Sequence, residues 1–239
     1  MSKAYTSNAF QALKQFSSCD IGDALVKLRY PYGGFFDGLR MRSPAPSSPS
    51  SSGASSGVRI HGPAVTVKMI ETNSPGPTPP LHFADANRKD AIMYIQQPKV
   101  LYSACWGGLM STRAKATGAL GVIVDGRIRD VTEHREMGFP VFSRDTSVLG
   151  SAGFTRASEI DVPLQFQGDL WINPGDVLVG DEDGVVVVPP SLVEQVVELC
   201  KERAEIDERM FEALKRGGAD GAYDEEVAEV RYGLTLRVP

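Results

Sequence analysis

Two glycines followed at a distance by an arginine–aspartate pair are the residues of this chain best suited to chemistry. Gly107 and Gly108 stand where a helix is expected to begin, and Arg129, Asp130 and Glu133 follow an apolar run. Peptide N–H groups in the first turn of a helix have no partner within it and point outward, so they suit a small anion such as a carboxylate. Glycine there lets a ligand come close. Asp130 is a hard oxygen ligand of the kind taken by magnesium or manganese, which keep several waters. Arg129 can hydrogen-bond an oxygen that becomes negative during reaction. A 2-oxo acid presents its carboxylate and carbonyl together, so one divalent cation can chelate both and stabilise the enolate left when a bond two carbons away breaks. No Schiff-base lysine is needed. Taken singly, each signal is weak: Gly-Gly before a helix is most often a turn, and Arg-Asp most often a surface pair or a cap.

The elements that must position these residues read as α/β. Ala64–Ile70 alternates like a strand, and Gly121–Asp125 is a continuous apolar run, the mark of a strand covered on both faces. Asp85–Gln96 reads as a helix, Lys99–Ala104 as a short strand, Leu109–Thr117 as a helix and Asp125-Gly126 as a turn. Thr132–Met137 follows as a short helix and Pro140–Phe142 as a strand. This rhythm predicts an α/β core with parallel pairing. Near the N-terminus, Asn8–Leu28 reads as helical with an interruption at Asp20 and Gly22. Leu164–Ile172, Val177–Asp181 and Gly184–Pro189 read as short strands joined by turns. After Pro190, Leu192, Val196, Leu199, Ile206, Met210 and Leu214 mark one stripe of a long amphipathic helix. Ser43–Gly57, almost wholly Ser, Pro, Gly and Ala, cannot bury enough apolar area to offset its ordering entropy. It is expected to be a flexible insertion in one domain spanning residues 1–239.

The order and spacing of the candidate residues resemble a known pattern. Gly108, twenty intervening residues, then Arg129-Asp130-Val131-Thr132-Glu133 is similar to the G-x20-R-D-x2-E/D signature of the RraA-like, or 4-hydroxy-4-methyl-2-oxoglutarate aldolase, family. Ala114–Gly118, Gly121–Gly126, Gly138–Phe142, Pro174–Asp176 and Asp181–Pro189 agree with it, and the resemblance spans about Ile21 to Arg209. It implies a compact α/β sandwich like the swivelling β/β/α domain of phosphoenolpyruvate-using enzymes, with a long C-terminal helix, assembled as a homotrimer or homohexamer with sites near subunit interfaces. It further implies that Asp130 is the metal ligand for Mg2+ or Mn2+, that Arg129 binds the keto oxygen, and that the amides of Gly107, Gly108, Leu109 and Met110 hold the substrate carboxylate. The implied reactions are cleavage of 4-hydroxy-4-methyl-2-oxoglutarate into two pyruvates and decarboxylation of oxaloacetate. Many bacterial aldolases of the family carry an acid at the position of Gly108; glycine suggests a eukaryotic-type member. Glu133 then either takes over part of that acid's role or only caps the following helix. The family also contains a ribonuclease inhibitor that acts by protein contact and lacks the metal-binding acid. Asp130 favours an enzyme over that alternative.

Other classes find little support. A formal net charge of -5, with no basic block, makes a poor nucleic-acid binder. No secretory signal and no long apolar run is present, so a cytoplasmic location is expected. Cys19, Cys105 and Cys200 are too far apart for a zinc or disulfide framework. His61, His82 and His134 lack metal-ligand spacing, His134 reading as a surface or supporting residue. Asp181-Glu182-Asp183 reads as a solvated turn, and no Gly-rich loop supports S-adenosylmethionine binding.

Overall fold

Alternation at period two decides how this chain layers. In Ala64–Lys68, Ile92–Gln96 and Gly121–Val124, successive residues go to opposite apolar clusters: Val65, Val67, Met93, Ile95, Val122 and Val124 to one, Ala64, Ile92, Tyr94 and Ile123 to the other. A sheet buried on both faces results. The computed structural model describes residues 6–45 and 57–215, so the Ser/Pro-rich insertion lies, apart from its ends, outside the described residues.

The elements in chain order are α1 (Ser7–Leu13), α2 (Ser18–Lys27), β1 (Arg40–Ser43), β2 (Ile60–Glu71), β3 (Ile92–Gln96), α3 (Gly108–Ala116), β4 (Gly121–Ile128), α4 (Val131–Met137), β5 (Val141–Thr146), β6 (Thr155–Ile160), β7 (Leu164–Gln167), β8 (Leu170–Ile172), β9 (Val177–Gly180), β10 (Val185–Val188) and α5 (Val193–Lys215). β2, β3, β4 and β5 pair in parallel, β2–β3 and β3–β4 in step with Ala64 beside Ile92 and Ile92 beside Gly121, and β4–β5 with a slip between Val124 and Arg127. β1 closes one edge antiparallel to β5, while the long β2 also pairs antiparallel with β6 and β9. One mixed sheet thus runs β1-β5-β4-β3-β2-β9-β10, with the β7–β8 hairpin apart from it. α3 and α4 cover the face whose core holds Trp106 and Phe139, and the hairpin covers the face holding Phe36 and Phe142. α1, α2 and α5 pack on the outer residues of β9 and β10, including Val177, Val179 and Val186. Among the described residues no helix is long and apolar enough to cross a membrane.

Several sequence expectations need correction. The helix expected over Asp85–Gln96 is a single 3-10 turn, Phe83–Ala86, followed by β3. Asp90 takes a left-handed φ of 61°, which stops any helix there. A short, fully apolar run does not by itself distinguish strand from buried helix. Lys99–Ala104 is irregular, and Asp125-Gly126 is no turn, because β4 continues to Ile128. The N-terminal helix breaks at Lys14–Ser17 rather than at Asp20 and Gly22. Asp20 closes a capping box with Ser17 that starts α2. β1 and β6 carried no sequence signal that was read as a strand. Asp181 is buried, not solvated, and accepts from the Ser18 N–H at 2.8 Å and the Ser18 hydroxyl at 2.6 Å.

Candidate active site

The end of β4 builds the site. Beyond Asp125 β4 has no further partner in β3, and the segment before α3 takes that edge, while Arg127 and Ile128 stay paired with Asp145 and Thr146 of β5. The Cys105 N–H donates to the Arg127 carbonyl at 3.0 Å, and the Arg129 N–H to the Trp106 carbonyl at 3.0 Å. These two bonds make a short parallel ladder, with Trp106 opposite Ile128. Trp106 anchors it from below: its ring is buried and its Nε1–H donates to Ser111 Oγ at 2.8 Å. In consequence the Gly107–Gly108 turn at the head of α3 is held against Arg129 and Asp130.

Asp130 sits at the N-cap of α4 with left-handed φ 60° and ψ 39°. For a non-glycine residue this costs roughly 1–2 kcal/mol, least for Asp and Asn. The conformation turns its carboxylate back onto α3, where Oδ2 accepts from the Gly108 N–H at 3.0 Å and lies 3.4 Å from Arg129 Nε. Both side chains stay reachable, Arg129 46% and Asp130 31% exposed.

The two glycines are explained by steric contact with the protein itself. Gly107 is extended, with φ -151°, so it needs no special backbone freedom. A Cβ on Gly107 would lie 2.6 Å from Asp130 Oδ2, and one on Gly108 would overlap Glu133 Oε2 outright. Glu133 therefore occupies the space into which a side chain at position 108 would project. No side-chain capping bond is made at the start of α4, so the capping role weighed for Glu133 is not what it does here.

A cavity of about 100 Å³ lies between these groups, lined by Ala104–Gly107, Leu109, Met110, Arg129, Asp130, Gly150 and Ser151. Of the expected residues, Gly107, Leu109, Met110, Arg129 and Asp130 line this cavity, and Gly108 does not. Of the four amides expected to hold a carboxylate, Gly108 donates to Asp130 and Met110 to the Gly107 carbonyl at 3.1 Å. The N–H groups of Gly107 and Leu109 find no acceptor among the described residues. Gly150, Ser151 and Cys105 were not foreseen as lining residues. Gly150 lets the guanidinium pack closely, since a Cβ there would stand 2.8 Å from Arg129 Nη1. A larger, open groove of about 580 Å³ beside Pro77–Leu81 and Ser158–Val162 contains none of the predicted residues.

The donor set suits a cation that keeps its waters. Asp130 Oδ1 accepts no hydrogen bond among the described residues, Glu133 is a second carboxylate beside Gly108, and no group of three metal-ligating side chains converges anywhere among the described residues. Magnesium is commonly held by one or two carboxylates and water rather than by a full protein cage. Burial pushes the Cys105 thiol up to about 12, so it is protonated and no nucleophile. His134 is wholly buried, contrary to a surface role, with neither ring nitrogen hydrogen-bonded among the described residues, and burial lowers its pKa.

Several known proteins resemble this chain in sequence and fold. The profile of the RraA-like family (Aldolase/RraA) matches residues 18–187. An uncharacterised protein of Methanocaldococcus jannaschii is 31% identical over 66% of this chain and 74% of its own length. A Halalkalibacterium halodurans protein, provisionally named a 4-hydroxy-4-methyl-2-oxoglutarate aldolase, is 32% identical over 65% of this chain and 72% of its own. The crystal structure of an uncharacterised Pseudomonas syringae protein superposes with a TM-score of 0.74 at 25% identity, covering 89% of this chain and 94% of that one. A Streptomyces coelicolor member of the RraA family of RNase ES inhibitors shares the fold, with a TM-score of 0.68 at 23% identity over 89% and 98% of the two chains. These relatives are archaeal and bacterial, so the eukaryotic-type likeness suggested by Gly108 is not borne out.

Proposed function

The chain belongs to the RraA-like family, and from that premise we propose that it is a divalent-metal-dependent carbon–carbon lyase acting on small 2-oxo acids. Its reactions are cleavage of 4-hydroxy-4-methyl-2-oxoglutarate to two pyruvates and decarboxylation of oxaloacetate. The observation that carries this reading is the cavity of about 100 Å³ with Arg129 and Asp130 on one side and the head of α3 on the other.

Asp130, with Glu133 beside it, would hold Mg2+ or Mn2+. A cation there supplies Lewis-acid polarisation of the substrate's 2-oxo group. The protein's own groups do the rest. The unengaged amides of Gly107 and Leu109, at the positive end of α3, receive the substrate carboxylate. Arg129 donates to the C2 oxygen, where negative charge accumulates as the C3–C4 bond breaks and its electron pair moves to C3 and the carbonyl. In the aldol substrate the C4 hydroxyl must lose its proton as C4 becomes a carbonyl. Glu133, standing over Gly108, would accept it through a water. In oxaloacetate carbon dioxide leaves and no hydroxyl proton is involved. Protonation of the enolate at C3 completes either reaction.

The cavity admits a pyruvate-sized group, so the distal half of a longer substrate projects outward past Leu109, which is 86% exposed. Val148 and Leu149, next to the lining residue Gly150, are also exposed. This apolar rim supports assembly as a homotrimer or homohexamer with the site at the subunit contact. The test is pyruvate release from both substrates with Mg2+ or Mn2+, and its loss with EDTA and in Asp130→Ala. Metal-replete protein that releases pyruvate from neither substrate counts against the proposal and in favour of a protein-binding role.

A further inference from the structure

Gln97 plays no part in the scheme above, yet it is a polar residue only 2% exposed. A buried carboxamide costs free energy unless its donors and acceptor are paired. Both ends of this one are engaged. Oε1 accepts from the Arg127 N–H at 2.9 Å, and Nε2 donates to the Ser103 carbonyl at 2.8 Å. Its own N–H donates to the Asp125 carbonyl at 3.1 Å. Gly126 makes room for it, since a Cβ there would lie 2.6 Å from the Cβ of Gln97. The β4–β5 pairing slips between Val124 and Arg127, at the same place. Such irregularities re-aim the chain that follows and recur beside active sites.

Both strands of backbone joined by this carboxamide lead straight into the cavity. From Arg127 the chain reaches Arg129 and Asp130; from Ser103 it reaches Gly107 and Gly108. The ladder from Cys105 to Arg127 and from Arg129 to Trp106 begins immediately beyond the clamp. We propose that Gln97 is a positioning residue whose carboxamide sets the separation of the Gly107–Gly108 turn from the Arg129–Asp130 pair. It thereby sets the rate of the lyase reaction, an inference that rests on the function proposed above.

The experiment uses the full chain with Mg2+ in three forms: wild type, Gln97→Met and Gln97→Glu. Methionine keeps the length and loses both side-chain hydrogen bonds. Protonated glutamate can still donate to Ser103 and accept from Arg127, whereas ionised glutamate cannot donate. Two readouts are needed: amide exchange over residues 103–108 and 127–129, and kcat and KM for oxaloacetate across pH. Gln97→Met is expected to exchange faster in those two segments. Its kcat is expected to drop on the order of 10²-fold, the scale of an ångström of misplacement. Gln97→Glu is expected to match wild type at low pH and to decline toward the methionine variant as pH rises, a limb absent from wild type. Circular dichroism that stays native across this limb separates positioning from loss of the fold, because an ionised buried glutamate also destabilises folding. The inference is overturned by a Gln97→Met kcat equal to that of wild type, by a Gln97→Glu profile parallel to wild type, or by unchanged exchange over 103–108. Wild-type protein that forms no pyruvate counts against the function itself, while the exchange arm still decides whether Gln97 holds the loop.

Discussion

Moving one carboxylate across the site gives the sharpest consequence of this geometry. Glu133 fills the space over Gly108, with its Cδ 2.8 Å from where a Cβ on Gly108 would stand. An aspartate at 108 carries its carboxyl carbon about 1.5 Å beyond that Cβ and, well aligned, reaches within roughly 1.3 Å of the present Glu133 carboxyl carbon. The two acids are therefore alternatives for one location. Glu133→Ala should lower kcat on the aldol substrate by about 10²–10⁴-fold, the usual contribution of a positioned acid–base group, or about 3–5 kcal/mol. Adding Gly108→Asp to Glu133→Ala should restore much of that loss. Gly108→Asp alone should impair the enzyme, because two like charges then compete for one place. Oxaloacetate decarboxylation, which removes no hydroxyl proton, should suffer less from Glu133→Ala. The assay is pyruvate formation measured for all four proteins with both substrates. Full activity in Glu133→Ala, or a folded double variant as inactive as Glu133→Ala, would refute the reasoning.

Three further outcomes are expected. Mn2+ or Mg2+ should raise the melting temperature of wild type, by the equivalent of about 2.7 kcal/mol at a hundredfold excess over Kd; Gly107→Ala, whose Cβ would stand 2.6 Å from Asp130 Oδ2, should need more metal for the same shift. His61 is buried and its pKa is lowered from 6.5 to about 4, chiefly by desolvation. The unfolded chain therefore takes up this proton first as pH falls. Stability present above pH 6.5 should be lost by roughly 3 kcal/mol on going down to pH 4, a loss that His61→Phe should remove in urea titrations. Val148, 93% exposed, should tolerate Glu in the monomer fold but weaken assembly, shifting the sedimenting mass downward; an unchanged mass would show that the rim is not the subunit contact.

How far the sequence could be read depended on whether a signal was local. Strand β2 announced itself by alternation and β4 by a continuous apolar run, and α3 by the glycines at its head. β3 did not, because its four successive apolar residues, Ile92–Ile95, have no period to distinguish strand from helix. β1 and β6 depend on partners far along the chain: Arg40 pairs with Ser143, and Glu71 with Thr155. Within the site, Gly108, Arg129 and Asp130 stood out by type and spacing; Arg129 and Asp130 line the cavity, and Gly108 is tied to them through its N–H on Asp130. The reason for the glycines did not: they yield space to Asp130 and Glu133, a relation visible only when α3 and α4 lie side by side. Gln97 carried no sequence signal, since its value lies in a carbonyl and an amide partner supplied by other segments.

The central claim is that the Asp130 carboxylate holds a divalent cation next to a bound 2-oxo acid. Asp130→Asn keeps an acceptor for the Gly108 N–H while removing the charge, so the turn it supports is preserved. Pyruvate formation from oxaloacetate by metal-stripped wild type should be absent, return on adding Mg2+ or Mn2+, and stay absent in Asp130→Asn at any metal concentration. Turnover in Asp130→Asn equal to wild type, or turnover in wild type indifferent to chelation, would contradict it.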